Sequence, residues 1–293
     1  MNVNWRPRLL TGLREIADHY DAILCDVWGV LHDGVRAHPL AHAALKEYRQ
    51  TKSGSVILIS NAPWPSSQLE DLLHGLGIPR AAYDGLVTSG DLTRDLIRFS
   101  GSRNVFHLGP QCDARIFEGM DLALVSFTTA DLVVCTSLFD SLRETVSEYR
   151  SMLSDFRRRA LPMICANPDL VVERDGRLTP CAGQLAAAYE EIGGKVTYAG
   201  KPHRAIYHAA VSKASMSRGT ELPRNRILAI GDSLQTDIAG ARDSGISTLF
   251  VARGIHAVEI GFVTAEPDPV LIRKWLTQQS VIPNAAIEQL RWC

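Results

Sequence analysis

Short, continuously apolar runs punctuate the chain at residues 22–25, 56–59, 85–88, 105–108, 132–135, 163–165, 196–199, 227–230 and 248–251. They are too short for helices, and their lack of polar alternation suits strands buried on both faces of a parallel sheet. Stretches of helical periodicity lie between them, at 40–50, 67–76, 92–99, 141–159, 184–192 and 203–213. Strand and helix in alternation predict an α/β protein with a Rossmann-like parallel sheet. Two segments near the carboxyl end, 273–277 and 285–291, read as helices on the surface of the fold, with Trp275 and Trp292 as packing anchors or an oligomer contact.

Start signals support several of these elements. Ser66 and Ser67 follow Pro65 and precede Glu70 in a capping-box arrangement, and Asp237-Ile238-Ala239-Gly240-Ala241 opens a helix with an acid in its first turn. Glycine and serine clusters at Ser100-Gly101-Ser102 and Gly193-Gly194 mark changes of domain. They predict a core domain built from 1–100 and 195–293, with 101–194 forming a second α/β domain inserted into it. A chain of 293 residues that is 46% hydrophobic has material for both.

Composition narrows the partner. A net charge of -1 with 22% charged residues points away from a nucleic-acid binder and from disorder, and toward a small molecule. No apolar run approaches the roughly 20 residues of a membrane span, and residues 1–10 lack the apolar stretch of a secretion signal, so the expected location is cytoplasmic. The six cysteines show no CxxC spacing; Cys25, Cys135 and Cys165 sit within apolar runs and read as core thiols. The nine histidines never fall into a ligand spacing with them, which argues against structural zinc.

Candidate chemistry gathers at strand ends, where ligands collect in open α/β sheets. The run 22–25 ends in Asp26-Val27-Trp28-Gly29-Val30, a lone carboxylate with a glycine that allows close backbone approach. Such an acid can attack phosphorus or bind a cation. The run 56–59 ends in Ser60-Asn61, whose hydroxyl, amide and free backbone donors suit phosphate oxygens. The run 196–199 leads to Gly200-Lys201-Pro202, placing an ammonium just before a proline that starts a helix. The run 227–230 ends in Gly231-Asp232-Ser233-Leu234-Gln235-Thr236-Asp237, two acids on a strand-to-helix turn that suit magnesium. Taken singly, each has an ordinary reading as a turn hydroxyl, a surface charge or a helix cap; their recurrence at four strand ends favours a site.

These four motifs, in this order, resemble those of the haloacid dehalogenase (HAD) superfamily, over most of the chain. The wide gap between Ser60 and Lys201 looks like subclass IIA, in which a large α/β cap is inserted between the second and third motifs. Thr88-Ser89-Gly90, Asn167-Pro168-Asp169 and Gly183-Gln184-Leu185-Ala186-Ala187-Ala188 are similar to that subclass as well. The resemblance implies a magnesium-dependent hydrolase of a small phosphorylated metabolite, working through an aspartyl phosphate. It makes Asp26 the nucleophile, Ser60 a donor to the phosphoryl group, and Lys201 the cation that neutralises both. Mg2+ would be held by Asp26, the backbone carbonyl of Trp28 and Asp232, with Asp237 orienting that shell. Gly29, Asn61, Asn167, Asp169 and Gly183 would line the substrate site, and specificity would reside in the cap. A homodimer is also implied as one form the protein can take.

One residue departs from the pattern. Phosphatases of the superfamily carry a second aspartate two residues after the nucleophile, which protonates the leaving group and then activates water; here that residue is Trp28. General acid-base catalysis is worth typically 10²- to 10⁴-fold. Three readings follow: a phosphatase that recruits His32, Asp33 or His203 or acts on activated esters, a non-phosphatase hydrolase on the same scaffold, or a protein that binds phosphate and metal without turnover. The basic tract Arg157-Arg158-Arg159 reads as solvated charge at a helix end rather than as a substrate site.

Overall fold

A computed structural model describes residues 7–174, 177–262 and 268–293, so residues 1–6, read above for a leader, lie outside it. In chain order the strands are β1 (Arg8–Leu10), β2 (Ala22–Asp26), β3 (Ser55–Ser60), β4 (Gly85–Thr88), β5 (Asn104–Leu108), β6 (Ala123–Leu124) and β7 (Leu132–Cys135). They continue with β8 (Met163–Cys165), β9 (Val171–Arg174), β10 (Arg177–Pro180), β11 (Val196–Tyr198), β12 (Ile227–Gly231), β13 (Ser247–Val251) and β14 (Ala285–Ile287). All nine expected runs are strands.

Seven strands form one sheet in the order β1-β14-β13-β12-β2-β3-β4. Its centre is parallel, with Cys25 in register with Ile230 and Leu58, and Asp26 with Ile59. Every residue of β2, β3 and β12 is buried, which is why these strands read as unbroken apolar runs. The register brings the carboxyl ends of β2 and β12 side by side, and with them Asp26 and the turn that carries Asp232.

Five strands form the second sheet, in the order β11-β8-β7-β5-β6, again parallel throughout. Phe156, Leu153, Leu185 and Tyr189, from the helices Arg150–Arg158 and Ala182–Glu191, pack with Val133, Met163 and Cys165 in one buried cluster. Ile97, from the helix Ser89–Ser100, packs with Val105, Ile116 and Ile164 in another. The sheet is therefore covered on both faces, as a parallel sheet requires. A two-stranded hairpin, β9 with β10, completes this part of the chain.

Two compact units result: 1–59, 72–86 and 207–293 in the first, 60–71 and 87–206 in the second. The expected insert, 101–194, lies within the second unit, which also takes in the helix Ser89–Ser100 and strand β11. The helix joins because its apolar residue Ile97 finds its partners on the five-stranded sheet. Strand β11 joins because Val196–Tyr198 pairs with Met163–Cys165, a choice that an apolar run does not reveal.

The expected helix at 285–291 is a correction: Ala285–Ile287 is strand β14, fully buried between β13 and β1. Two alanines and an isoleucine suit a central strand as readily as a helix face. Ala286 lies in a cluster with Phe250, Ile272 and Trp275, so Trp275 is indeed a packing anchor. The expected helix at 141–159 is shorter, a turn of 3-10 helix at Val146–Tyr149 followed by Arg150–Arg158. All six cysteines are free thiols. No helix among the described residues is long and apolar enough to cross a membrane.

Ala286→Asp tests the strand assignment, because it places a carboxylate in a fully buried cluster. The expected loss of unfolding free energy, read by urea denaturation, is about 3 kcal/mol or more. A surface helix at this position would absorb the change within about 0.5 kcal/mol.

Candidate active site

The first unit brings three acids together. Asp26, Asp232 and Asp237 each offer a carboxylate oxygen, and these oxygens all lie within 4.8 Å of one another. All three residues are buried, at 6%, 6% and 4% exposure. Asp26 is the last residue of β2, Asp232 follows β12, and Asp237 sits in a π-type turn, Leu234–Ile238, before the helix Ala239–Asp243. π turns of this kind recur at functional sites.

Three glycines make room for these carboxylates. A Cβ on Gly29 would stand 2.0 Å from Asp232 Oδ2, one on Gly254 2.1 Å from the same oxygen, and one on Gly231 2.1 Å from Asp237 Cγ. Gly29 also has φ of +85°, a region that disfavours side chains. Backbone donors hold the acids: Ile255 N–H donates to Asp232 Oδ2 at 2.8 Å, and Ser233 N–H to Asp237 Oδ2 at 3.2 Å. His256 Nε2 accepts from Leu234 N–H at 3.4 Å while its ring packs on Trp275, which ties the π turn to the following loop.

The segment 253–256 escaped the reading of the sequence, although Arg253-Gly254 directly after a strand end was a turn signal. A set of hard oxygen donors in a cradle that any Cβ would fill suits a small divalent cation such as Mg2+.

Trp28 lies over its own loop. Its indole meets His32 edge-on, with ring centroids 5.1 Å apart, and a Cβ on Gly34 would stand 2.5 Å from Trp28 Cη2. The loop closes on itself through Gly29 N–H to His32 O at 2.8 Å and His38 N–H to Leu31 O at 2.7 Å. His32 is fully buried, its Nδ1 accepts from Gly34 N–H at 2.9 Å, and desolvation pushes its pKa down to about 4. A buried neutral imidazole of that kind is a poor proton donor to substrate. Asp33 Oδ1 accepts from Val35 and Arg36 N–H at 2.9 and 2.7 Å. Burial raises its pKa, but those backbone donors outweigh it and leave the carboxyl below its usual range. Neither residue is suited to supply the missing acid.

The second unit holds the other motif residues. Ser60 closes β3, directly after the residue in register with Asp26, and its Oγ accepts from Ala62 N–H at 3.1 Å. Asn61 bonds Lys201 through both side-chain atoms, Oδ1 accepting from Lys201 N–H at 2.7 Å and Nδ2 donating to Lys201 O at 3.0 Å. Asn61 Nδ2 also donates to Asp169 Oδ1 at 2.9 Å, and Asn167 Oδ1 accepts from Asp169 N–H at 3.1 Å. Gly183 lies beneath that loop, where a Cβ would come within 2.4 Å of Pro168 O and 2.5 Å of Asp169 O. Ser60, Asn61 and Lys201 are buried at 6%, 4% and 4% exposure. His203 stacks on Tyr198, with ring centroids 4.8 Å apart.

A parallel α/β core with buried acids at neighbouring strand ends, interrupted in sequence by a second α/β unit, places its candidate site where ligands collect in open α/β sheets. Comparison with known proteins agrees. Residues 23–123 match the family "Haloacid dehalogenase-like hydrolase", and residues 198–273 match the HAD-hydrolase-like family. A solved haloacid dehalogenase-like hydrolase from Brucella suis 1330 is 43% identical, with a TM-score of 0.84 over 96% of this chain and 99% of that one. Ribonucleotide monophosphatase NagD of Escherichia coli (strain K12) is 29% identical over 81% of this chain and 89% of its own length. D-glycerol 3-phosphate phosphatase of Mycobacterium tuberculosis is 25% identical over 84% of this chain and 66% of its own. The chain belongs to the haloacid dehalogenase superfamily, subclass IIA, and is a hydrolase of the HAD type.

Two expectations follow. Gly29→Ala drives a Cβ into Asp232, so millimolar Mg2+ should raise the melting temperature of the wild type and leave that of the variant unchanged; equal shifts in both proteins would show that the cradle is dispensable. His32 supplies the second. Its unfolded imidazole binds a proton near 6.5 and the folded one only near 4, so between these values the unfolded state holds more protons. Stability therefore falls as pH drops through that window, by about 3 kcal/mol in all from this residue. Urea unfolding of His32→Gln should show a correspondingly shallower acid limb, and an unchanged limb would refute the assignment.

Proposed function

We propose that the protein is a divalent-cation-dependent phosphatase of a small phosphorylated metabolite, with Asp26 as nucleophile, and that its substrates carry leaving groups needing little protonation. The observation that carries this reading is the triad of buried carboxylates in its glycine cradle, at neighbouring carboxyl ends of β2 and β12. The names of the curated relatives, a ribonucleotide monophosphatase and a glycerol 3-phosphate phosphatase, support phosphate monoesters as the substrate class.

In this reading Asp26, Asp232 and the carbonyl of Trp28 would hold Mg2+, with Asp237 orienting that shell, and the ion would supply positive charge that lowers the cost of bringing an anionic phosphate to an anionic nucleophile. An Asp26 oxygen attacks phosphorus, the bond from phosphorus to the leaving oxygen breaks, and an aspartyl phosphate forms. Water then attacks that phosphorus, the Asp26–phosphorus bond breaks, and inorganic phosphate and the free carboxylate result. Ser60 donates to a phosphoryl oxygen and Lys201 neutralises the others. Burial of Lys201 fits that role, since an ammonium is stable in the interior when negative charge faces it. Positioning and charge neutralisation are what phosphoryl transfer chiefly asks of a protein.

Trp28 sets the limit on this chemistry. An indole cannot protonate a departing alkoxide, and the loop offers no substitute: His32 is buried with Nδ1 engaged, and Asp33 closes its own turn. An aryloxide or a carboxylate departs from phosphorus as a stable anion without a proton, whereas an alkoxide leaving from an alkyl phosphate suffers the full penalty.

Turnover of 4-nitrophenyl phosphate with and without Mg2+ tests the reading. Wild type should turn over only with the metal, and Asp26→Asn should lose at least about 10³-fold in kcat. Trp28→Asp should raise kcat/KM on alkyl phosphates by about 10²-fold or more while changing aryl phosphates little. Undiminished turnover in Asp26→Asn would remove the nucleophile assignment.

A further inference from the structure

We infer that Asn61 and Asp169 are positioning residues for Lys201: an acid contributed by the loop after β8 fixes the backbone of the cationic lysine by way of one carboxamide. The inference rests on the role given to Lys201 in the proposed function, and deepens it.

Four contacts carry it. Asn61 Oδ1 accepts from Lys201 N–H at 2.7 Å and Asn61 Nδ2 donates to Lys201 O at 3.0 Å, so the carboxamide pairs with Lys201 as a neighbouring strand would. The second hydrogen on Nδ2 goes to Asp169 Oδ1 at 2.9 Å. This bond sets which way the amide faces. With oxygen and nitrogen exchanged, the oxygen would confront Lys201 O and Asp169 Oδ1, both acceptors, and Lys201 N–H would meet a donor. Asp169 is aimed in turn by its own N–H, which donates to Asn167 Oδ1 at 3.1 Å.

Glycines permit the close approach on both sides. Gly200, immediately before Lys201, has φ of +129°, and a Cβ there would stand 2.5 Å from Asn61 Oδ1, 2.8 Å from Ser89 Oγ and 2.9 Å from Pro168 Cδ. Gly183 packs against the carbonyls of Pro168 and Asp169 from the far side of the loop. At Gly200 the missing side chain leaves the space through which Asn61 reaches the Lys201 backbone.

A lysine is a point charge on a flexible stem, and its placement begins with its backbone. A displacement of about 1 Å at a reacting group can cost about 10²-fold in rate. The acid of Asn167-Pro168-Asp169, which a reading of the sequence assigns to substrate contact, therefore acts on the root of Lys201. The two roles differ in what they change. A substrate contact governs KM and differs between substrates; a positioning residue governs kcat for every substrate alike.

The experiment uses the full chain with Mg2+, 4-nitrophenyl phosphate and acetyl phosphate, with melting curves to establish that each variant is folded. Asp169→Ala should lower kcat about 10- to 100-fold on both substrates with KM nearly unchanged. Asp169→Asn keeps an oxygen that accepts the same Asn61 hydrogen, and should recover about tenfold of that loss. Amide hydrogen exchange gives a readout independent of turnover: the Lys201 N–H should exchange at least about 10-fold faster in Asn61→Ala, and faster in Asp169→Ala than in Asp169→Asn. Wild-type kcat in Asp169→Ala, a loss expressed in KM or on one substrate alone, or unchanged Lys201 exchange in Asn61→Ala would each overturn the inference. A wild type without turnover on either ester would instead remove the proposed function, and the exchange measurement would still decide the clasp.

Discussion

Three acids forced to share one buried site are the constraint on which the core unit depends. Two ionised carboxylates with oxygens within 4.8 Å of each other repel by about 3 kcal/mol or more at an effective dielectric near 20. Nothing in a hydrophobic core would gather them, so the arrangement is costly in itself and is held by specific devices: backbone N–H groups of Ile255 and Ser233, and glycines at 29, 231 and 254 that admit the oxygens to within contact of the main chain. Rigidity comes from beneath. Strands β2, β3 and β12 are buried throughout, and their register leaves Asp26 and Asp232 little freedom to move apart. A cation held among the acids would turn this repulsion into affinity.

The loop carrying Trp28 shows how a site can lose one group and keep the rest. An indole offers no proton, yet the carbonyl at the same position is part of the main chain and is unaffected by the replacement. The ring is accommodated by Gly34 below it and His32 beside it. His32 is thereby committed to packing, with its pKa depressed by desolvation, and cannot also serve as an acid. The tryptophan is thus built into the packing of the loop.

Much of the fold was legible because parallel strands buried on both faces write themselves as short apolar runs. All nine runs are strands, and the four strand-end motifs are where the periodicity placed them. What misled was the same property from the other side. The segment 285–287 has the composition of either element, and only its burial between β13 and β1 makes it a strand. Val196–Tyr198 reads like any other run, and its partner Met163–Cys165 in the second sheet is a matter of three-dimensional pairing. The edge strands Arg8–Leu10 and Ala123–Leu124 are short and partly exposed, so they carry no such signature.

By itself the sequence determined the class of fold, the order of the motifs and the kinds of groups available, because hydrophobic periodicity and residue chemistry are local. Tertiary structure decided how those groups are used. It joined Asp26 to Asp232 and Asp237 across sequence distances that no spacing rule connects, and it brought Gly254 and Ile255 into their support. It engaged Asn61 and Asp169 with the backbone around Lys201, where the family resemblance implied contacts to a substrate. Hydrogen-bond partners and close approaches are properties of distance in space, and the chain acquires them only when it folds.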